Sequence, residues 1–173
     1  MGSILAFQGK VYLIDAGPGI LESLTALGIG INEIEGIFHT HCHDDHFAGL
    51  TSLLRSDHRM KYFATPLVRS SVMKKLAALL SMEEERFYRF FEPIDLKFDE
   101  WNDIDGLEVK PVFSPHPVET SIMFFRSFWN GGYKSYAHFA DIASFSVLGN
   151  MVEPKKSKSG ISKKFFEQVK RDY

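Results

Sequence analysis

The most informative stretch of the sequence is His41-Cys42-His43-Asp44-Asp45-His46, which closely follows the apolar run Ile34–Phe38. Three imidazoles and two carboxylates within six residues form a ligand set that suits zinc, iron or manganese. In an extended segment, side chains two positions apart point the same way, so the first two histidines could share one ion. The final Asp-His pair needs a turn to converge, and it could hold a second ion. The stretch predicts a metal site of two ions.

The composition predicts one globular domain. The chain has 173 residues, 45% hydrophobic content and a formal net charge of −2. It can therefore bury a core, and it gives no electrostatic reason to expect broad nucleic-acid or membrane binding. A single cysteine excludes an internal disulfide and is typical of a reducing compartment, and no apolar run reaches the roughly eighteen residues of a membrane span. We expect a cytoplasmic protein that acts on a small molecule, and we leave a homodimer open.

Apolar periodicity predicts an α/β chain. The predicted strands cover residues 4–7, 10–15, 34–39, 60–64, 107–113, 121–129 and 133–140. The predicted helices cover residues 20–27, 50–54 and 68–91, and Ser81 with the glutamates after it is predicted to cap a second helix inside the last range. We assign residues 1–150 to one domain, 151–160 to a linker or loop, and 161–173 to an amphipathic helix of the same domain.

The pattern H-x-H-x-D-H resembles the signature of the metallo-β-lactamase superfamily, and three further landmarks have matches. These are Asp15 at an early strand end, His116 after a later strand, and Asp141 near the end of the match. The pattern is most similar to the phosphodiesterase branch, which includes the tRNA 3′-processing nucleases. The resemblance implies a four-layer αββα sandwich. A last histidine of the family pattern has no match, because none follows His138, so we expect a fragment that is incomplete at its C-terminal end.

The resemblance also implies roles for individual side chains. The implied ligands of a first ion are His41, His43 and His116. Those of a second ion are Asp45 and His46, and Asp141 is shared between the two ions. Asp15 would hold the histidine loop, although an aspartate that caps the following turn fits equally well. We name Asp45 and Asp15 as the catalytic carboxylates. His138 remains a rival of Asp141, Asp44 is expected to face solvent or hold the loop, and Cys42 is expected to pack inward.

This ligand pattern favours a metal-dependent hydrolase that uses a metal-bound hydroxide on a small phosphodiester or a cyclic nucleotide. We expect two divalent ions, with zinc preferred over manganese or iron. Hydrolysis of a thioester, a lactone or a β-lactam stays open, as do a di-iron redox or oxygen-binding protein and a non-enzymatic sensor. Because the last histidine is missing, we expect the isolated chain to be weakly active or inactive.

Overall fold

The computed structural model describes residues 1–144 and 146–147, and the first sheet has five strands. They lie in the order β1 Ser3–Phe7, β2 Lys10–Ile14, β3 Ile34–Phe38, β4 Met60–Ala64 and β5 Phe91–Asp95. β1 and β2 form an antiparallel hairpin, and the other neighbours are parallel. The carboxyl ends of β2 and β3 therefore meet at one edge of the sheet, where Asp15 and the histidine-rich stretch follow them.

The second sheet is an antiparallel meander of four strands: β6 Asn102–Ile104, β7 Leu107–Phe113, β8 Ser121–Trp129 and β9 Gly132–His138. A backbone hydrogen bond joins it to the histidine-rich edge, since Ser121 N donates to Thr40 O at 3.0 Å. His116 follows β7 and Asp141 follows β9, so both reach the edge that already carries the motif.

Helices pack against the first sheet, and apolar side chains fill two separate layers. The helices are α1 Ile20–Ala26, α2 Asp44–Phe47, α3 Leu50–Leu53, α4 Pro66–Leu80 and α5 Phe87–Phe90. One buried cluster joins α1, α3 and α4 to the sheet through Leu24, Leu50 and Val72. A second cluster lies between the two sheets and includes Phe38 and Phe125, whose ring centroids are 5.1 Å apart. The α/β class is confirmed, and the described residues supply one helical layer and two sheets of the predicted sandwich.

The predicted helix at residues 68–91 is wrong at its C-terminal end. α4 stops at Leu80, and Ser81 ends it in the left-handed conformation at φ 50°, so Ser81 is not the N-terminal cap that the sequence predicts. Glu84–Arg86 form a 3₁₀ turn, α5 follows, and Phe91 begins β5, which pairs with β4. Pro93 conceals this strand in the sequence, because proline is compatible with a strand only at positions such as the sheet edge that β5 occupies.

The last predicted strand is two residues too long. β9 ends at His138, and Ala140 takes a positive φ of 49°, which turns the chain before Asp141. The predicted linker at 151–160 and helix at 161–173 lie outside the described residues. Within the described residues, no helix combines the length and apolar character needed to cross a bilayer.

Candidate metal centre

Four side chains from three segments form the first donor group. One ligand atom from each of His41, His43, His116 and Asp141 lies within 4.8 Å of the others. His43 Nδ1 and His116 Nε2 are 2.9 Å apart, and Asp141 Oδ2 is 3.8 Å from His41 Nε2 and 3.6 Å from His116 Nε2. The group therefore offers three imidazole nitrogens and one carboxylate oxygen around a common point.

A second donor group lies beside the first and shares one carboxylate with it. It consists of Asp45, His46 and Asp141, again within 4.8 Å of one another. His46 Nε2 is 3.3 Å from Asp45 Oδ2 and 3.3 Å from Asp141 Oδ1. Asp141 thus directs Oδ2 towards the first group and Oδ1 towards the second, which is the placement that a bridging carboxylate needs.

Buried hydrogen bonds fix the orientation of two of these imidazoles. Asp15 accepts Thr40 N through Oδ1, and it accepts Thr40 Oγ1 and His46 Nδ1 through Oδ2, each at 2.7 Å. Since the Thr40 hydroxyl donates to Asp15, its oxygen accepts from His41 Nδ1 at 3.0 Å. These partners assign the Nδ1–H tautomer to His41, and they place the proton that His46 donates to Asp15 on Nδ1. The Nε2 atoms of both rings therefore face the donor groups.

The residues present fit divalent metal ions. His41 Nε2 and His46 Nε2 are buried, and neither has a hydrogen-bond partner within the described part of the chain. An imidazole lone pair that faces carboxylate oxygens at this range is repelled by them unless a proton or a cation lies between, and an unpaired buried polar atom is itself costly. Nitrogen and oxygen donors in these numbers match the preferences of zinc and related ions.

Asp15 lies close enough to His41 and His46 to form a third candidate group, but its hydrogen bonds argue against ligation. Both of its oxygens already accept hydrogen bonds, and the residue is only 1% exposed. Asp15 therefore acts by holding Thr40 and His46. Of the two carboxylates that the sequence predicts as catalytic, only Asp45 is open to solvent, with its side chain 57% exposed.

Close backbone packing keeps the Asp15 turn against the histidine loop. Ala16 N donates to His46 O at 2.7 Å, and Gly49 N donates to Ala16 O at 2.9 Å. A Cβ atom at Gly17 would overlap Asp45 O, and one at Gly49 would overlap Gly17 O. Glycine is required at both positions because the two backbone segments touch there.

Burial and charge set the protonation of the imidazoles. Burial lowers the pKa of His41 to about 4, with a further contribution from the neighbouring His46 ring. Burial also lowers the pKa of His116. Burial alone would lower the pKa of His46. The hydrogen bond to Asp15 and the charges of Asp15, Asp45 and Asp141 outweigh burial, so the pKa of His46 is raised above its ordinary value of 6.5. His41 is thus neutral and ready to bind metal at neutral pH, whereas a proton competes for His46.

The two groups should therefore lose metal at different pH values. As the pH is lowered, we expect the second group to release its ion first, because the pKa of His46 is raised whereas that of His41 is lowered to about 4. Competition with a chromophoric chelator at a series of pH values measures this order. Release of the first-group ion at the higher pH would contradict it.

The remaining predicted residues lie around the two groups. His138 belongs to neither donor group, and its Nδ1 lies 3.2 Å from Tyr136 Oη, so the structure places Asp141 and not its rival at the centre. Cys42 packs against the helical core, and Asp44 contacts Lys75 Nζ at 2.6 Å.

The sequence alone assigns no role to Thr40 or Lys75. A hydroxyl directly before the first histidine is a signal that could have indicated Thr40, whereas Lys75 has no local signal.

Comparison with known proteins identifies the family. The profile described as anti-Pycsar protein Apyc1 matches residues 2–141, a range that contains every side chain of both donor groups. The chain belongs to the Apyc1 family. This Apyc1-family chain is 26% identical over 170 residues to the cAMP/cGMP-dependent 3′,5′-cAMP/cGMP phosphodiesterase B of Dictyostelium discoideum. The match covers 98% of the chain and 15% of that relative. It is also 49% identical over 51 residues to ribonuclease Z of Clostridium kluyveri, covering 30% of the chain and 17% of the relative.

Solved structures confirm the superfamily fold of this Apyc1-family chain. The metallo-β-lactamase fold protein YhfI from Bacillus subtilis superposes with a TM-score of 0.62 at 16% identity, covering 82% of the chain and 54% of YhfI. The chain therefore spans about half the length of this structure and a smaller share of the two relatives.

Proposed function

We propose that this protein is a metal-dependent phosphodiesterase that hydrolyses a small phosphodiester, with a 3′,5′-cyclic nucleotide as the preferred substrate class. The observation that carries the proposal is the pair of donor groups joined by Asp141, with two buried imidazole nitrogens facing carboxylate oxygens. Paired metal sites of this kind recur in enzymes that hydrolyse phosphate esters. Divalent ions held there would supply Lewis-acid stabilisation and a water acidic enough to attack near neutral pH.

The side chains of this protein divide the remaining tasks. Asp15 and Thr40 hold His41 and His46 in their tautomers before substrate arrives, which limits reorganisation during the reaction. Asp45 is exposed at the mouth of the centre, where its carboxylate can accept a proton from the attacking water. His43 and His116 are partly exposed, so substrate would reach the first group from their side.

The substrate class is supported by the similarity that runs along nearly the whole chain, which is to a protein named for hydrolysis of cAMP and cGMP. The similarity to ribonuclease Z is higher in identity but spans only 51 residues, and it makes precursor tRNA the second candidate. A net charge of −2 favours the smaller substrate, because RNA binding rests largely on cationic contacts to phosphates.

Two finer assignments belong to the same proposal. Zinc is the preferred ion because imidazole nitrogens and carboxylate oxygens are among its usual ligands in proteins. Cytoplasm is the preferred compartment because the single cysteine cannot form an internal disulfide.

The direct test is hydrolysis of cAMP and cGMP by zinc-loaded protein, with bis-p-nitrophenyl phosphate as a generic phosphodiester and precursor tRNA as the competing substrate. We expect weak turnover of the small phosphodiesters that is abolished by a chelator and by His43→Ala. Cleavage of precursor tRNA without turnover of cyclic nucleotides would transfer the assignment to the second candidate. Turnover of a β-lactam or a thioester alone would contradict both.

A further inference from the structure

Lys75 reaches from helix α4 to the loop that carries the metal-binding histidines. Its Nζ donates to Cys42 O at 2.6 Å and contacts Asp44 Oδ1 at 2.6 Å. The same ammonium lies 4.7 Å from the centroid of the buried Phe47 ring. All three contacts fall within residues 42–47, which lie 28 to 33 positions before Lys75 in the sequence. One side chain therefore fixes the loop from outside.

Helix α4 is anchored firmly enough to serve as a support. Val72 and Leu76 are fully buried against the first sheet, on either side of Lys75 in the sequence. The Lys75 side chain is 34% exposed, because its stem follows the packed face while its ammonium reaches the loop. Lys74, its neighbour on the same helix, is exposed.

Within the described residues, His43 has no hydrogen-bond partner outside the first group that would orient its ring. Thr40 orients the His41 ring, whereas Asp15 orients the His46 ring. Among the described residues, the His43 ring contacts the rings of His41 and His116. Cys42 and Asp44 are the residues directly before and after His43. By donating to the carbonyl of Cys42 and pairing with the side chain of Asp44, Lys75 restrains the backbone of His43, and the His43 side chain follows its backbone.

We propose that Lys75 is a positioning residue of the first metal group, acting through the backbone of Cys42, directly before His43. This inference rests on the metal-dependent function proposed above. The contact with Asp44 alone would contribute little, because that carboxylate is 84% exposed and exposed ion pairs are weak. The part-buried hydrogen bond to Cys42 O supplies the restraint, and the ion pair with Asp44 directs Lys75 towards it.

The test is titration of metal-free protein with Co²⁺, whose visible spectrum reports the geometry of each group, with His43→Ala used to assign the second-group signal. Lys75→Met should weaken Co²⁺ binding at the first group by about 10–100-fold, the loss typical when a partner that orients a ligand is removed. The second group should keep its affinity. Lys74→Met is the matched control and should leave both groups unchanged, while Lys75→Arg should restore most of the binding.

Wild-type affinity and spectrum of the first group in Lys75→Met would overturn the inference, as would an equal loss at both groups. If Lys75→Met fails to fold, Lys75→Gln takes its place, because it keeps a donor for Cys42 O and should show a smaller loss in the same group. Loss of both groups in that variant would also overturn the inference. Because the readout is metal binding, a wild type that binds Co²⁺ but hydrolyses no phosphodiester would refute the proposed function and leave the role of Lys75 intact.

Discussion

Replacing Asp141 with alanine should remove metal from both donor groups at once and lower phosphodiester hydrolysis by about 10²–10³-fold or to background. The reason is geometric, since Oδ2 faces His41 and His116 while Oδ1 faces His46. The main chain should stay in place, because Ser114 Oγ donates to Asp141 O, a backbone atom that the substitution keeps. Metal content by elemental analysis and kcat/KM on a generic phosphodiester measure the two effects.

The matched control is Asp45→Ala, which removes a carboxylate that belongs to the second group alone. We expect that variant to retain the ion of the first group. If Asp141→Ala also kept one ion at wild-type affinity, Asp141 would be a terminal ligand and the account of a shared centre would be wrong.

Replacing Asp15 with alanine should produce the largest loss of folding stability of any single change at this centre. The substitution leaves three buried donors without their acceptor, namely Thr40 N, Thr40 Oγ1 and His46 Nδ1. Each unsatisfied buried donor costs about 1–3 kcal/mol, so a loss of about 3 kcal/mol or more is expected in the metal-free protein. Chemical denaturation measures the loss, and weaker binding at the second group should accompany it because His46 loses its orienting partner.

Asp45→Ala serves again as the control, because the Asp45 side chain is largely exposed and its removal should leave stability nearly unchanged.

The pH dependence of folding stability gives an independent check of the role of Asp15. Burial opposes ionisation of Asp15, but the hydrogen bond from His46, the charge of His39 and the bonds from Thr40 outweigh it, so its pKa is lowered. Ionised Asp15 therefore stabilises the fold at pH values above 3.8, its ordinary pKa, and this contribution is lost as the pH falls through its folded-state pKa. A denaturation profile of Asp15→Ala that matched wild type would contradict this role.

The sequence predicts the centre well because the polar residues that build it follow strand ends. The motif comes after β3, Asp15 after β2 and His116 after β7, and the ends of neighbouring strands meet at one edge of a sheet. The motif could be found from this local pattern, an apolar run followed by polar groups, whereas Asp15, His116 and Asp141 are identified through the resemblance to the metallo-β-lactamase superfamily. The six predicted ligands come together in the structure, although their binding of metal stays a prediction.

The features that the sequence does not reveal depend on contacts between distant segments. Strand β5 contains Pro93 and is recognisable only beside β4, and Ser81 resembles an N-terminal cap until the end of α4 is seen. Lys75 lies inside a helical run with no acidic residue within four positions of it, and its role arises from the fold that carries α4 to the histidine loop. Tertiary pairing decides such positions, whereas local pattern does not.

We propose that two metal ions lie in two donor groups joined by one carboxylate, and anomalous X-ray diffraction from zinc-loaded crystals tests this arrangement most directly. We predict a strong peak among His41, His43, His116 and Asp141, and a weaker one among Asp45, His46 and Asp141, because the first group offers four donors and the second three. A map without a peak at this edge of the sheets, or with an ion bound by Asp15 in place of Asp141, would contradict the account.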